Sequence, residues 1–171
     1  MMLGSNPTRI LQEILDREKE RNELLRDSAY AAFALSDESV IEEAQKKRTK
    51  AGKIEVLQKN DSWALRDILR GTFDTSIEWN LPPGEPPYQA AEAHNHPTEL
   101  TRENTKFKYF IRGFKVSESM NTMKRESLYI GLLEGIHPND ARLVIDMTNK
   151  TSPKYITRNI VEEAFPDLLR D

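Results

Sequence analysis

Eighteen residues set the terms for the rest of this chain. Gly71 to Tyr88, GTFDTSIEWNLPPGEPPY, is the one long interruption in a sequence otherwise patterned for helices. Prolines at 82, 83, 86 and 87, with Gly84 between them, forbid a helix and a central strand alike, because each proline removes a backbone donor and fixes φ. Phe73, Ile77 and Trp79 precede the prolines in an extended phase, and Leu81 and Tyr88 flank them. Large apolar residues at both ends predict an ordered loop, with Trp79, Leu81 and Tyr88 pinned inward, rather than a linker between two halves. A segment such as PPGEPPY also has the composition of a polyproline II ligand for an aromatic groove.

On either side the pattern is helical. Ile10, Leu11 and Ile14 recur at helical spacing after Pro7 and Thr8, and the stretch DREKERNE that follows is almost wholly charged. A helix with a fully polar stretch is exposed or forms half of a helix–helix contact, so residues 1–49 read as a charged helical arm. Ile10, Leu11, Ile14, Leu24 and Leu25 are its candidate partner-binding residues, for a second copy or another protein.

Ser36 or Asp37 is placed to cap a second helix through EEAQKKR, whose end opens the basic cluster Lys46, Lys47, Arg48, Lys50 and Lys53. That cluster is a solvated face or a phosphate contact. Asp61 is placed to cap a third helix, with Trp63, Leu65, Ile68 and Leu69 spaced for burial and Gly71 as its left-handed terminator. Ser117 or Ser119 starts a helix running to Gly135. His137-Pro138 starts the next, and Thr157 caps the last, with Ile156 and Val161 as a hydrophobic staple. The fold class expected is mostly α: a compact helical domain over 50–171, holding the ordered loop 71–88 and an acidic connector 89–105, preceded by the arm.

One segment has an ambiguous period. In KFKYFIRGFKV, Phe107, Tyr109 and Ile111 share a strand face, yet Phe107, Phe110, Ile111 and Phe114 also satisfy i, i+3, i+4, i+7. A short β-hairpin and a helix both remain open for 106–116.

Charge is uneven along the chain. Residues 71–105 hold one basic residue against six acidic, whereas 106–125 hold six basic against one acidic, within a formal net charge of −3. That net charge gives no global case for nucleic acid, but local patches still act. Lys106, Lys108, Arg112 and Lys115 are the nucleic-acid candidates, since cations interleaved with aromatics bind single strands through phosphate attraction and stacking.

Catalytic chemistry has little to work with. Cysteine is absent, which removes disulfides, thiolate metal sites and cysteine nucleophiles. The chain has no Gly-rich phosphate loop, no GxSxG and no HExxH. His94-Asn95-His96-Pro97 resembles the two-histidine metal motif of JAB-type isopeptidases and RadC-like proteins, but the aspartate that motif requires downstream is missing from TELTRENTKF. A site needs three protein ligands, so His94 and His96 read as a surface loop and the expectation is no metal, no cofactor and no enzyme. No apolar run approaches the roughly 18–20 residues of a membrane span.

Taken together, KIEVLQKNDSWALRDILRGTFDTSIEWNLPPGEPPYQ, KFKYFIRGF, MKRESLYIGLLEGIHPNDARLVIDMTNK and IVEEAFPDLL resemble an uncharacterised domain family of large, myovirus-type tailed bacteriophages, over about residues 50–169. The resemblance implies a phage origin and a compact body from about Lys50 onward, and carries no activity with it. The expected function is a non-enzymatic phage accessory protein acting on a host or phage protein in the host cytoplasm. Nucleic-acid binding in replication or transcription is the alternative, and a structural component of the virion the next.

Overall fold

The computed structural model describes residues 10, 11, 13–17 and 37–171. Among these the architecture is helical and no sheet forms. The helices of the body are α1 (Asp37–Lys46), α2 (Lys50–Lys59), α3 (Trp63–Phe73), α4 (Leu100–Glu103), α5 (Lys115–Glu118), α6 (Thr122–Gly135), α7 (Pro138–Thr148) and α8 (Arg158–Ala164), with a 3₁₀ helix at Asn104–Phe110. Residues 10, 11 and 13–17 are helical as well. No helix among the described residues is long and apolar enough to cross a membrane.

The core is built on α3 and α7, which pack against each other, with α6 against α7 and the pair α1–α2 closed by α8. Leu65, Ile68, Leu69, Leu133, Ile136 and Met147 are fully buried at its centre. Each such side chain stabilises the fold by about 1.5–3 kcal/mol relative to exposure. Val40, Ile41 and Ala44 of α1 belong to the same cluster. The packing is therefore continuous across residue 50, where the sequence suggested that an arm meets a body.

Local capping chemistry places most helix starts. His137 Nδ1 accepts from the Asn139 N–H (3.0 Å) with Pro138 in the first turn, and the Thr157 hydroxyl accepts from Ile160 N–H (3.3 Å). Ile156 and Val161, the expected staple, are both buried. Three expected boundaries move. Ser62, not Asp61, caps α3 by accepting from the Leu65 N–H (3.0 Å), while Asp61 instead pairs with Arg66. Asn121, not Ser117 or Ser119, caps α6 through Lys124 N–H (2.8 Å). The basic run is broken between α1 and α2 by Thr49, which accepts from Gly52 N–H (3.0 Å).

Gly71 does not terminate α3, which continues to Phe73. Its role is close approach: a Cβ there would lie 2.6 Å from Trp79 Cζ2 and 2.7 Å from Met147 Sδ.

The proline loop is ordered against the body. Trp79, Leu81 and Tyr88 are partly buried on the core, as their spacing predicted. Gly84 adopts φ +89° at the tip, and the Asn149 side chain holds it from both sides, accepting from Gly84 N–H (2.7 Å) and donating to Gly84 O (3.2 Å). Pro82, Pro83, Gly84, Glu85 and Pro87 remain exposed.

For 106–116 the tertiary environment selects the helical period. Phe107, Phe110, Ile111 and Phe114 are all buried, and the strand alternative reduces to a single antiparallel bridge between Trp79 and Ile111. No hairpin forms there.

Candidate functional site

The residues singled out from sequence go to different places. Leu24 and Leu25 lie outside the described residues. Ile10 and Ile14 are buried, in a satellite cluster with Ile77, Ile111 and Phe114, and Leu11 is half-buried. Ile10 and Ile14, two of the residues expected to meet a partner, are thus covered by the protein's own body. Lys106 and Arg112 are exposed but face carboxylates, Glu103 at 2.5 Å and Glu78 at 3.6 Å respectively. Lys108 sits over the Tyr109 ring (5.6 Å) and Lys115 is exposed on α5. Phe107, Phe110 and Phe114 between these cations are buried, and Tyr109 is half-buried under Lys108, so the segment has no fully exposed ring. His94 is exposed beside Glu92, whereas His96 turns inward, with Nδ1 2.9 Å from Thr98 O and its ring edge-on to His137. Among the described residues no three His, Asp or Glu come together as a metal-binding group.

A different place concentrates polar chemistry. Trp63, Arg66 and Arg70 stand at i, i+3 and i+7 on α3, which puts them along one face of the helix. Against that face lie the N-terminal helical residues, carrying Glu13 and Arg17, and the C-terminal stretch from Ala164 to Arg170. Between the three is a cleft of about 430 Å³. Trp63 forms part of its wall, only half-buried, instead of anchoring the core as its spacing suggested.

The four arginines of the cleft are not equivalent. Arg66 is held by a bidentate pair: its Nε and Nη2 donate to the two oxygens of Asp61 at 2.7 Å, and its guanidinium lies over the rings of Trp63 (5.5 Å) and Phe165 (5.0 Å). The Asp61 hydrogen bond holds its pKa above the ordinary arginine value. Arg17 pairs with Asp67 and also covers Trp63 (5.8 Å). Arg170 reaches Glu13 at 2.8 Å.

Arg70 is the exception. Its side chain is 7% exposed, and Glu13 and Asp74 approach no nearer than 3.8 Å. Its Nε and Nη2 have no acceptor, nor do the Nε atoms of Arg17 and Arg170. Buried donors without acceptors cost about 1–3 kcal/mol each, more when charged. Burial pushes the Arg70 pKa down, and the nearby charges of Arg17 and Arg170 push it further than Glu13 and Asp74 restore it. A guanidinium fork binds a carboxylate or other planar anion through two parallel hydrogen bonds, and at Arg70 such a group has to part the cleft to reach the buried nitrogens.

Only part of this cleft was readable beforehand. The spacing of Trp63, Arg66 and Arg70 is present in the sequence, but their convergence with residue 17 and residue 170 is a product of the fold.

Neither the curated proteins nor the solved structures contain a match to this chain. A family model does match, over residues 40–154, and it spans α1 through the turn before α8. That interval holds Trp63, Arg66 and Arg70 but neither Arg17 nor Arg170. With well over half of its length inside the match, the chain belongs to DUF6433, a family of unknown function.

Proposed function

We propose that this protein is a non-enzymatic accessory factor of a tailed bacteriophage, that it works inside the infected host by binding another protein, and that the arginine cleft is the docking site. The observation that carries this reading is Arg70, a guanidinium more than nine-tenths buried, two of whose nitrogens lack acceptors at the floor of a cleft of about 430 Å³. Tryptophan and arginine are the side chains most enriched among residues that dominate protein–protein binding energy, and here Trp63 and Phe165 wall a pocket lined by four arginines. The partner that fits presents an acidic side chain or a terminal carboxylate on a short segment. Such a group satisfies Arg70 and competes with Glu13 for Arg170. The exposed, pre-ordered prolines of the 82–87 loop add a rigid surface elsewhere on the body.

The test is affinity capture from infected cells under nuclease treatment, comparing the native protein with Arg70→Gln and Arg170→Gln. A protein retained by the native chain and lost with both variants, whose acidic segment then binds as a synthetic peptide, supports the proposal. Capture unaffected by both substitutions removes the cleft as the docking site. Capture abolished by nuclease removes the protein partner.

A further inference from the structure

Among the described residues, Tyr155 is the exposed aromatic for which the fold offers no packing role. It is 60% exposed and sits at φ +66°, a left-handed conformation that a bulky side chain adopts only when its surroundings impose it. The surroundings do impose it. The following residue, Ile156, is buried at 2% exposure and its N–H bonds to Pro153 O (3.1 Å), closing a turn. From the other side Gln45 Nε2 donates to Lys154 O (2.9 Å), fastening the turn to the end of α1. The ring is therefore displayed outward by a turn anchored at both ends.

Cations surround it. Lys53 Nζ lies 5.6 Å from the ring centroid and Lys154 Nζ 5.1 Å. Lys50, one turn before Lys53 on α2, shares its face, and Lys46, Lys47 and Arg48 continue across the α1–α2 junction, all exposed. From Ala44 to Ile54 the chain carries five cations and no acid. Carboxylates border the patch: Glu163 of α8 pairs with Lys50 at 2.6 Å, Glu42 and Glu43 stand one turn before Lys46 and Lys47 on α1, and Glu55 follows Lys53. Lys53 and Lys154 lie over the ring itself, on flexible stems that a stacking base can push aside toward its own phosphates, and the α1–α2 junction supplies the further cations.

We infer that this surface binds single-stranded nucleic acid, one base stacking on Tyr155 while Lys46, Lys53 and Lys154 contact the flanking phosphates. An aromatic face stacks on any base, and the cations add a salt-dependent phosphate attraction that is indifferent to sequence. The same chemistry sought at Lys106, Lys108, Arg112 and Lys115 is missing its exposed ring there. The surface is separate from the arginine cleft and does not depend on a protein partner.

Fluorescence anisotropy with the full chain and a labelled deoxythymidine oligomer of about 12 nucleotides tests the inference, since one such surface spans on the order of 4–16 nucleotides. Binding at low salt is expected, with log K falling linearly in log salt. Replacing Lys53 and Lys154 together with Gln should lower the slope by about 1.4, at roughly 0.7 per phosphate contact. Tyr155→Gly should weaken binding about 10-fold, the range for one lost stack, and leave the salt slope unchanged. Because glycine relieves the left-handed strain, that variant should melt no lower than the native protein, which separates lost stacking from lost folding. The inference is overturned by absence of binding at low salt, by an unchanged affinity in Tyr155→Gly, or by duplex DNA bound as tightly as the single strand. It also fails if replacing Lys106, Lys108, Arg112 and Lys115 with Ala abolishes binding while the Tyr155 surface variants keep it.

Discussion

Trp79 and Gly71 are locked together at a distance that leaves no space for a methyl group. The indole Nε1 donates to Gly71 O at 3.0 Å, and Cζ2 of the same ring would stand 2.6 Å from a Cβ at position 71. This contact joins the root of the proline loop to the middle of the core, because Gly71 lies on α3 and Met147 of α7 closes the same space.

Gly71→Ala pits two effects against each other. In a helix interior, Ala is favoured over Gly by about 1 kcal/mol. Overpacking a closed core site costs about 1–3 kcal/mol, and here a rigid ring is one of the obstacles. The clash with the ring is expected to win, by up to about 2 kcal/mol, which lowers the melting temperature by up to roughly 8 °C for a chain of this size. Met147→Ala should cost less in the Gly71→Ala background than in the native one, measured as a double-mutant cycle, because it opens the space that the new methyl needs. A Gly71→Ala protein that melts higher than the native one would show that the contact is not tight.

Asp74, fully buried at the end of α3, ties that helix to the C-terminal stretch. Its Oδ1 accepts from Ser76 N–H (2.9 Å) and Ser76 Oγ (2.6 Å), and its Oδ2 accepts from Arg170 N–H (3.0 Å). Arg70 lies at 3.8 Å from the same carboxylate. Asp74→Ala leaves those donors without an acceptor and the buried Arg70 with Glu13 as its remaining nearby carboxylate, so a loss of about 3–5 kcal/mol in urea unfolding is expected. Asp74→Asn keeps one acceptor and should lose less. Because Arg170 also lines the cleft, both variants should weaken binding there, by displacing Arg170 rather than by touching a ligand.

Which features could be read in the sequence follows from how local their causes are. His137-Pro138 and Thr157 announce their helices because the capping atoms lie within three residues of the groups they satisfy. The inward pinning of Trp79, Leu81 and Tyr88 was also legible, since four prolines leave the chain few conformations. Gly71 was misread because the reason for glycine there is a ring and a thioether, one of them 76 positions later in the chain. The segment 106–116 fitted two periods, and only tertiary packing chose between them: Phe110 meets Tyr129, rings 5.5 Å apart and edge to face, while Ile111 and Phe114 join Ile10, Ile14 and Ile77. The arginine cleft needed residues 17, 70 and 170 in one place. Nothing in the neighbourhood of any one of them signals that meeting.

Asn149 decides how rigid the proline loop is. Its side chain satisfies both the N–H and the C=O of Gly84 and also donates to Ile145 O at 2.8 Å. Asn149→Ala frees the loop tip from α7, so the Gly84 amide should exchange with solvent at least tenfold faster, with a stability loss of about 1–2 kcal/mol for the lost hydrogen bonds. Gly84→Ala tests the backbone alone. A Cβ there meets nothing within 4 Å, so only the left-handed φ of +89° opposes it, at about 1–2 kcal/mol. Native-state hydrogen exchange on both variants separates the two causes: fast exchange with Gly84→Ala but not with Asn149→Ala would mean that the clamp is not what orders the loop.

Tyr129 makes stability depend on alkaline pH. Its ring is 4% exposed and its hydroxyl lies 2.9 Å from Thr148 Oγ1. Burial is the main cause that pushes its pKa up to about 12; the Thr148 hydrogen bond opposes the shift, while Tyr88 and Asp146 reinforce it. A phenol whose folded pKa lies above its unfolded value of about 10 holds its proton longer in the native state. Its contribution is therefore complete below pH 10 and disappears as the pH rises toward 12. From a pKa of about 12, linkage gives a loss of about 1.4 kcal/mol by pH 11. Tyr129→Phe lacks the titrating group. It should be less stable at neutral pH by about 1 kcal/mol, for the hydrogen bond to Thr148. Its stability should then decline less than that of the native protein between pH 9 and pH 11, so the gap narrows or reverses. Urea unfolding at those two pH values measures both numbers, and parallel declines in the two proteins would mean that Tyr129 ionises as readily folded as unfolded.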